Sequence, residues 1–263
     1  MQDNLRVLFI GDIVGKPGRS AVKTILSGLI EKLKIDFIIA NGENAAGGFG
    51  ITEKVAKELF QQRINVITTG NHIWDKKDDI SYIAKDPCIL RPFNYPPGVP
   101  GQGSIIYNLN GLNIGIINLI GRVFMAPVDC PFRMGLAEVE RISETTRIII
   151  IDFHAEATSE KIALGYYLDG KVSAVIGTHT HVQTADERIL PKGTAYITDV
   201  GMTGPLDSII GIEVPQIIER FLYQMPKKFD VAKGKSIFSA VLLDINTKTG
   251  LARSIQRLYL SCG

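Results

Sequence analysis

The chain has 263 residues, enough for one large domain or two small ones with a buried core, and its 45% hydrophobic and 21% charged content is that of a soluble globular protein. A formal charge of +2 gives no support to nucleic-acid binding by bulk electrostatics, which leaves only local basic patches for such a role. Cys88, Cys130 and Cys262 are scattered and odd in number, which argues against a disulfide framework or a thiolate zinc site and for reduced thiols in a cytoplasmic protein.

The N-terminal MQDNLRVLFIGD has neither a basic region nor a long apolar stretch, so no signal peptide is expected. The longest apolar runs, such as residues 148–151, fall far short of the roughly 20 residues that span a bilayer. No membrane partner is expected.

Residues 6–10 read as a short buried strand, and over 19–33 Val22, Ile25, Leu26, Leu29, Ile30 and Leu33 recur at helical spacing. Residues 36–40 form a second apolar strand. Thr52 is placed to N-cap a helix through TEKVAKELFQQ, and 65–69 is the third strand. Continuous apolar strands joined by helices imply a parallel sheet covered on both faces. From Pro87 to Gly103 the composition turns to proline and glycine (RPFNYPPGVPGQG), a loop and a candidate excursion over the site. SIIYNLNGLNIGIINL then reads as a hairpin turning at Asn110-Gly111. Strands recur at 148–153 and 174–177 with EKIALGYYL as the helix between them. A second hairpin flanks PKG (187–190 and 194–198), and a third, SIFSAVLLDINTKTGLARSIQRLYL, turns at 246–250. With no repeat, low-complexity tract or linker, one α/β domain over 1–263 is expected. Parallel units followed by hairpins imply two mixed sheets packed face to face with helices outside, a four-layer α/β/β/α sandwich.

The polar residues that matter follow these apolar runs. Asp12 follows RVLFIG, Glu43 and Asn44 follow DFIIANG, Asn71 closes NVITTGN and His72 follows it, His154 follows RIIIIDF, and His179 and His181 follow AVIGT. In an open α/β sheet the carboxyl ends of strands line the ligand crevice. Taken singly, Asp12 reads equally as a turn or capping residue, Asn44 and Asn71 as glycine-turn neighbours, and His154 as a satisfied core histidine. His179 and His181, two apart on an extended segment, would point to one side. Jointly, five strand ends carrying such residues read as a site for two metal ions. Oxygen and nitrogen donors without thiolate suit manganese, iron or zinc. Two such ions about 3.5–4 Å apart lower the pKa of a bridging water and clamp an in-line phosphoryl displacement, with Glu43 as the natural shared carboxylate.

Other features are weaker. GDIVGKPGR and AAGGFG do not match P-loop spacing. Lys16 and Arg19 read as solvated residues opening the first helix. Arg122 and residues 199–205 are candidate borders of the substrate, and Trp74 and residues 93–95 read either as base-stacking or as packing groups.

The order GD…GEN…GNH…H…GTHTH resembles the calcineurin-like metallophosphoesterase superfamily. More closely, GDIVGKPGR, NGENAAGG, TTGNHIWDK, GTHTHVQTAD, NLIGRVFM and YITDVGMTGP look like the YmdB family of bacterial phosphodiesterases, over nearly the whole chain. The resemblance implies that Asp12, Glu43, Asn44 and His181 hold one metal and Glu43, Asn71, His154 and His179 the other, Glu43 bridging, with iron or manganese favoured over zinc. His72 would be the acid that protonates the leaving oxygen. The superfamily usually opens with Asp-x-His, but here Val14 stands at the third position, and Glu43 replaces the usual bridging aspartate; both departures belong to the YmdB-type branch. Ile73 follows GNH where an acid is usual, which leaves Asp75 as the candidate to orient His72. The implied activity is hydrolysis of cyclic nucleotides, 2′,3′-cyclic AMP above all. A homo-oligomer is expected, with the 93–100 loop as a candidate interface or lid. The rivals are a phosphomonoesterase or nucleotidase with the same metal core, and a regulatory RNA- or partner-binding protein that keeps the metals for structure.

Overall fold

The computed structural model describes residues 3–262, so Met1, Gln2 and Gly263 of the expected 1–263 span lie outside the described residues. In chain order the elements are β1 (Asn4–Ile10), β2 (Asp12–Ile13), α1 (Gly15–Leu33), β3 (Phe37–Asn41), α2 (Glu53–Gln61), β4 (Val66–Thr68), α3 (Ile80–Ile83) and β5 (Ile89–Leu90). Then come β6 (Ser104–Leu109), β7 (Leu112–Ile120), α4 (Pro131–Ser143), β8 (Ile149–His154), α5 (Thr158–Tyr167) and β9 (Ala174–Thr178). The chain closes with β10 (Arg188–Ile189), β11 (Ala195–Ile197), β12 (Met202–Pro205), α6 (Val214–Tyr223), β13 (Ser236–Asn246) and β14 (Ala252–Cys262).

These strands make two mixed sheets. In the first, β1, β3, β4 and β5 run parallel, and the long β13 pairs antiparallel with β1, with β12 and, along its other edge, with β14. The second has the order β10-β11-β9-β8-β7-β6, parallel from β11 to β7 and closed by an antiparallel strand at each edge. Side chains alternate along each strand, which explains the continuous apolar runs. Val7, Phe9, Phe37 and Ile39 of the first sheet meet Ile114, Ile116, Ile150 and Ile176 of the second between the layers. Their neighbours Leu8, Ile10, Ile38 and Ala40 face Val22, Leu26, Val55 and Leu59 of α1 and α2. On the far side Ile149, Ile151 and Phe153 meet Val139 and Ile142 of α4 and Leu164 of α5. The result is the α/β/β/α sandwich.

Thr52 caps α2, its side chain accepting from Val55 N. Asn110 and Gly111 turn the β6–β7 hairpin with φ of 49° and 92°, the paired positive values such a tight turn requires. Three details differ from expectation. α1 starts at Gly15, four residues before Arg19, because Pro17 is tolerated in a first helical turn. Arg19 is therefore not solvated: it pairs with Glu58 at 2.9 Å and donates to Ala45 O at 2.6 Å. α3, α4 and α6 carry no expected counterpart. All three cysteines are free, and among the described residues no helix is long and apolar enough to cross a membrane.

Candidate metal centre

The carboxyl ends of β1, β3 and β4 in one sheet face those of β8 and β9 in the other, and the predicted ligands meet there. His154 is the last residue of β8, paired to Ile120 and Thr178 on either side, and is fully buried. Its Nε2 lies 3.0 Å from Glu43 Oε1, 3.1 Å from Asn71 Oδ1 and 3.0 Å from His179 Nδ1. Glu43, His154 and His179 each present a ligand atom within 4.8 Å of the others. Burial opposes charge on both Glu43 and His154, but each offsets the other, lowering the carboxyl and raising the imidazole. Burial and the His154 charge push His179 down to about 3, which holds its imidazole neutral.

Asp12, Asn44 and His181 stand beside this group. His181 Nε2 is 3.8 Å from Asp12 Oδ1 and 3.2 Å from Asn44 Nδ2, which is itself 3.3 Å from Glu43 Oε1. Asn44 thus turns its amide nitrogen to the site, and ligation through oxygen requires a half-turn of that amide. Burial raises the Asp12 carboxyl above its usual range, against the charges of His181 and His154. Asp12 Oδ1 is buried with no hydrogen-bond partner. Several acceptors aimed at one point and one buried orphan carboxylate oxygen fit a cation, and the oxygen–nitrogen donor set fits manganese, iron or zinc.

Ring orientation is set from behind. His154 Nδ1 lies 2.9 Å from Thr178 Oγ1, which donates to Asp152 Oδ1 at 2.7 Å. His181 Nδ1 donates to Ile210 O at 2.8 Å, and His179 Nε2 lies 3.1 Å from Glu156 Oε2. In each case the outer nitrogen is engaged and the inner one faces the site, the arrangement that fixes a ligating histidine. Gly70 admits the His154 ring: a Cβ there would stand 2.3 Å from its Nε2 and 2.5 Å from Glu43 Oε2.

His179 and His181 converge by another route than expected. They lie past β9 with φ of 100° and 66°, so a left-handed bend, and not strand alternation, brings both inward. That bend is anchored by Asp199, whose Oδ2 accepts from Thr180 N at 3.0 Å and Thr180 Oγ1 at 2.7 Å. Lys161 of α5 completes the anchor at 2.7 Å, both side chains being shut off from solvent. Lys161, Glu156, Asp152 and Thr178 are not among the residues expected at the site. Only Asp152 carries a local signal, a lone carboxylate inside RIIIIDF.

His72 faces the same space. Its backbone N–H donates to Glu43 Oε2 at 3.1 Å, its Nδ1 lies 2.8 Å from Asp75 Oδ2, and its ring meets Phe49 edge-on at 5.0 Å. Asp75 thus contacts His72 as expected. A cavity of about 190 Å³ covers the centre, lined by Glu43, Phe49, His72, His179, Ile210 and Phe229 among others. Trp74 and Tyr95 pack on each other, centroids 6.3 Å apart, and Arg122 is exposed, its amide and that of Val123 held by Glu160.

Two mixed sheets between helix layers, with carboxylate, amide and imidazole donors where their strand ends meet, define a metallophosphoesterase-like protein. The YmdB-like protein family model matches residues 8–258, and the chain belongs to that family. A Bacillus subtilis (strain 168) protein named 2′,3′-cyclic-nucleotide 2′-phosphodiesterase is 52% identical over 257 residues, 98% of this chain and 97% of the relative. The crystal structure of a hypothetical protein from Thermus thermophilus matches with a TM-score of 0.92 and 42% identity, covering 98% of this chain and 100% of that one. That of a novel phosphatase from Mycoplasma pneumoniae matches with a TM-score of 0.93 and 36% identity, covering 99% of this chain and 95% of that one.

Proposed function

We propose that this protein is a metal-dependent phosphodiesterase that opens cyclic nucleotides, 2′,3′-cyclic AMP above all. The observation that carries the reading is the approach of Glu43, Asn71 and His179 to His154 Nε2 within about 3 Å, beside the orphan oxygen of Asp12. The near-full-length match to a relative named for this reaction supports the substrate. Asp12, Glu43, Asn44 and His181 would hold one ion and Glu43, Asn71, His154 and His179 a second, iron or manganese before zinc. When bound, the ions supply an activated water and neutralise charge building on the phosphoryl oxygens.

The chain's own groups do the rest. His72, steadied by Asp75 through Nδ1, keeps Nε2 for the proton that the departing ribose 2′-oxygen takes up. The His72 amide donates to Glu43 Oε2, which ties the segment bearing the proton donor to the shared carboxylate. Phe49, Ile210, Ile212 and Phe229 give the cavity apolar walls.

A phosphomonoesterase reading is kept alive by the Mycoplasma phosphatase, whose fold this chain shares. The deciding experiment is turnover of 2′,3′-cyclic AMP and of adenosine monophosphates by metal-loaded protein, with and without chelator. Chelator-sensitive opening of the diester is expected. Chelator-insensitive turnover would overturn the metal mechanism, and turnover of monoesters alone would replace the diesterase. The three free thiols support a cytoplasmic setting. A homo-oligomer belongs to the reading as well. Its support lies in the exposed Phe221, Leu222 and Tyr223 of α6 more than in the 93–100 loop, where Phe93 and Tyr95 pack inward. Sedimentation of Phe221→Asp measures it.

A further inference from the structure

The cavity over the centre, about 190 Å³, falls below the roughly 300–1,000 Å³ of ordinary small-molecule sites. It has room for the phosphate and part of a ribose, so the rest of a nucleotide must lie in an adjoining space. Two grooves adjoin it. One, about 530 Å³, shares His181 and Ile210 with the cavity, and its cation, Arg257, is already paired with Glu187 at 2.6 Å.

The other is about 1070 Å³ and opens at Phe229, which lines both spaces; Gly47 lines the groove and Gly48 the cavity. Lys16, Lys228 and Lys233 line it, exposed and without ion-pair partners among the described residues. Its carboxylates, Asp230 and Glu213, are two against three ammonium groups; Asp230 accepts from Gln216 Nε2 at 2.9 Å, and Glu213 precedes the first residue of α6. Lys16 sits in the first turn of α1, where the helix dipole adds to its charge. The half-exposed Phe229 offers a ring at the junction. Unpaired ammonium groups along a groove, an aromatic ring at its mouth and a phosphoryl centre at its end are the parts of a single-strand site.

We propose that this groove holds the strand on the 5′ side of a 2′,3′-cyclic phosphate, so that RNA 3′ ends closed by that group are substrates alongside the mononucleotide. The inference rests on the phosphodiesterase reading above. The bonds changed are the same in both substrates. Water adds to phosphorus, the bond from phosphorus to the 2′-oxygen breaks, that oxygen takes up a proton, and a 3′-phosphate stays on the strand end. Only the groups beyond the 5′-oxygen differ, and those reach Lys16, Lys228 and Lys233.

The test compares a synthetic tetraribonucleotide ending in 2′,3′-cyclic phosphate with 2′,3′-cyclic AMP on metal-loaded protein. The oligonucleotide is expected to show at least tenfold higher kcat/KM at low salt. On a log–log plot its salt slope should be steeper by up to about 2 for three phosphate contacts. Lys16→Glu/Lys228→Glu/Lys233→Glu should erase that advantage and the extra slope while leaving mononucleotide turnover within about twofold. Lys23→Glu, exposed on α1 outside the groove, should change neither. Equal kcat/KM for the two substrates, or an advantage that survives the triple change, overturns the strand site. Failure of both substrates would strike at the phosphodiesterase reading itself.

Discussion

Replacing Lys161 by Met tests whether the histidine bend depends on an ion pair hidden beneath it. Lys161 Nζ and Asp199 Oδ2 are 2.7 Å apart with side chains 1% and 0% exposed. Removing one member of a buried pair costs about 3–5 kcal/mol, because the other charge is left without its partner. Asp199 keeps the Thr180 amide and hydroxyl and the Gly201 amide at 2.8 Å, so the lower end, about 3 kcal/mol, is expected. For a chain of this size that is a fall in Tm of about 6–12 °C. Thr180 stands between His179 and His181, so a loosened Asp199 loosens both, and metal affinity should fall about 10- to 100-fold, as for other residues that orient ligands. Thermal melts of metal-free protein and metal titration followed by calorimetry measure the two effects. Lys161→Met/Asp199→Leu separates them. Loss of both charges should restore much of the stability, but not the affinity, because Thr180 then has no acceptor. A single variant that melts within about 2 °C of the parent and holds metal equally refutes the argument, as does a double variant that regains affinity.

His72→Ala should slow opening of 2′,3′-cyclic AMP by about 10²–10⁴-fold but p-nitrophenyl esters far less, since only the poor leaving group needs the proton; equal losses would leave His72 a positioning role only. Gly70→Ala puts a methyl group 2.3 Å from His154 Nε2 and should empty the site of metal, read by elemental analysis; full occupancy would show that the ring has room to move. Burial alone would raise Asp186, but hydrogen bonds from Thr184 and Thr198 hold its carboxyl below the usual 3.8. A depressed folded pKa contributes stability above the unfolded value and loses it as pH falls through the folded one. Asp186→Asn should therefore be less stable than the parent at pH 7, and the gap should close in urea melts below about pH 3.9; a gap constant with pH contradicts this.

How much of this was legible depended on where each residue's partners lie. β1, β3, β4, β8 and β9 were readable because strands covered on both faces must be apolar throughout, and the polar residues at their ends stand out against that background. α6 was not, because Ile217 alone is buried while Phe221, Leu222 and Tyr223 are exposed, so its hydrophobic pattern does not report a core. Lys161 and Asp199 are 38 residues apart, and a helical lysine reads as solvated until its partner is known. The positive φ of His179 and His181 has no signature in Thr-His-Thr-His, because Asp199 and Ile210 impose it from other segments.

The same distinction explains how ligands from two sheets meet within about 3 Å. The apolar layer between the sheets is non-directional and fixes their separation better than their lateral position. Two buried polar residues of the second sheet reach across at the level of the strand ends. Asp152 on β8 accepts from Asn41 Nδ2 on β3 at 3.1 Å and from Thr68 Oγ1 on β4, while Asn118 on β7 donates to Thr69 O at 2.8 Å and Leu90 O at 3.0 Å. Burial lifts the Asp152 carboxyl to about 7, a cost that the His154 charge and three hydrogen-bond donors offset only in part. That cost makes sense as positioning: Asn41 also accepts from the Glu43 amide at 3.1 Å, and Thr178 links Asp152 to His154. Glu43 from one sheet and His154 from the other are thus tied to a single carboxylate directly behind the point where they meet.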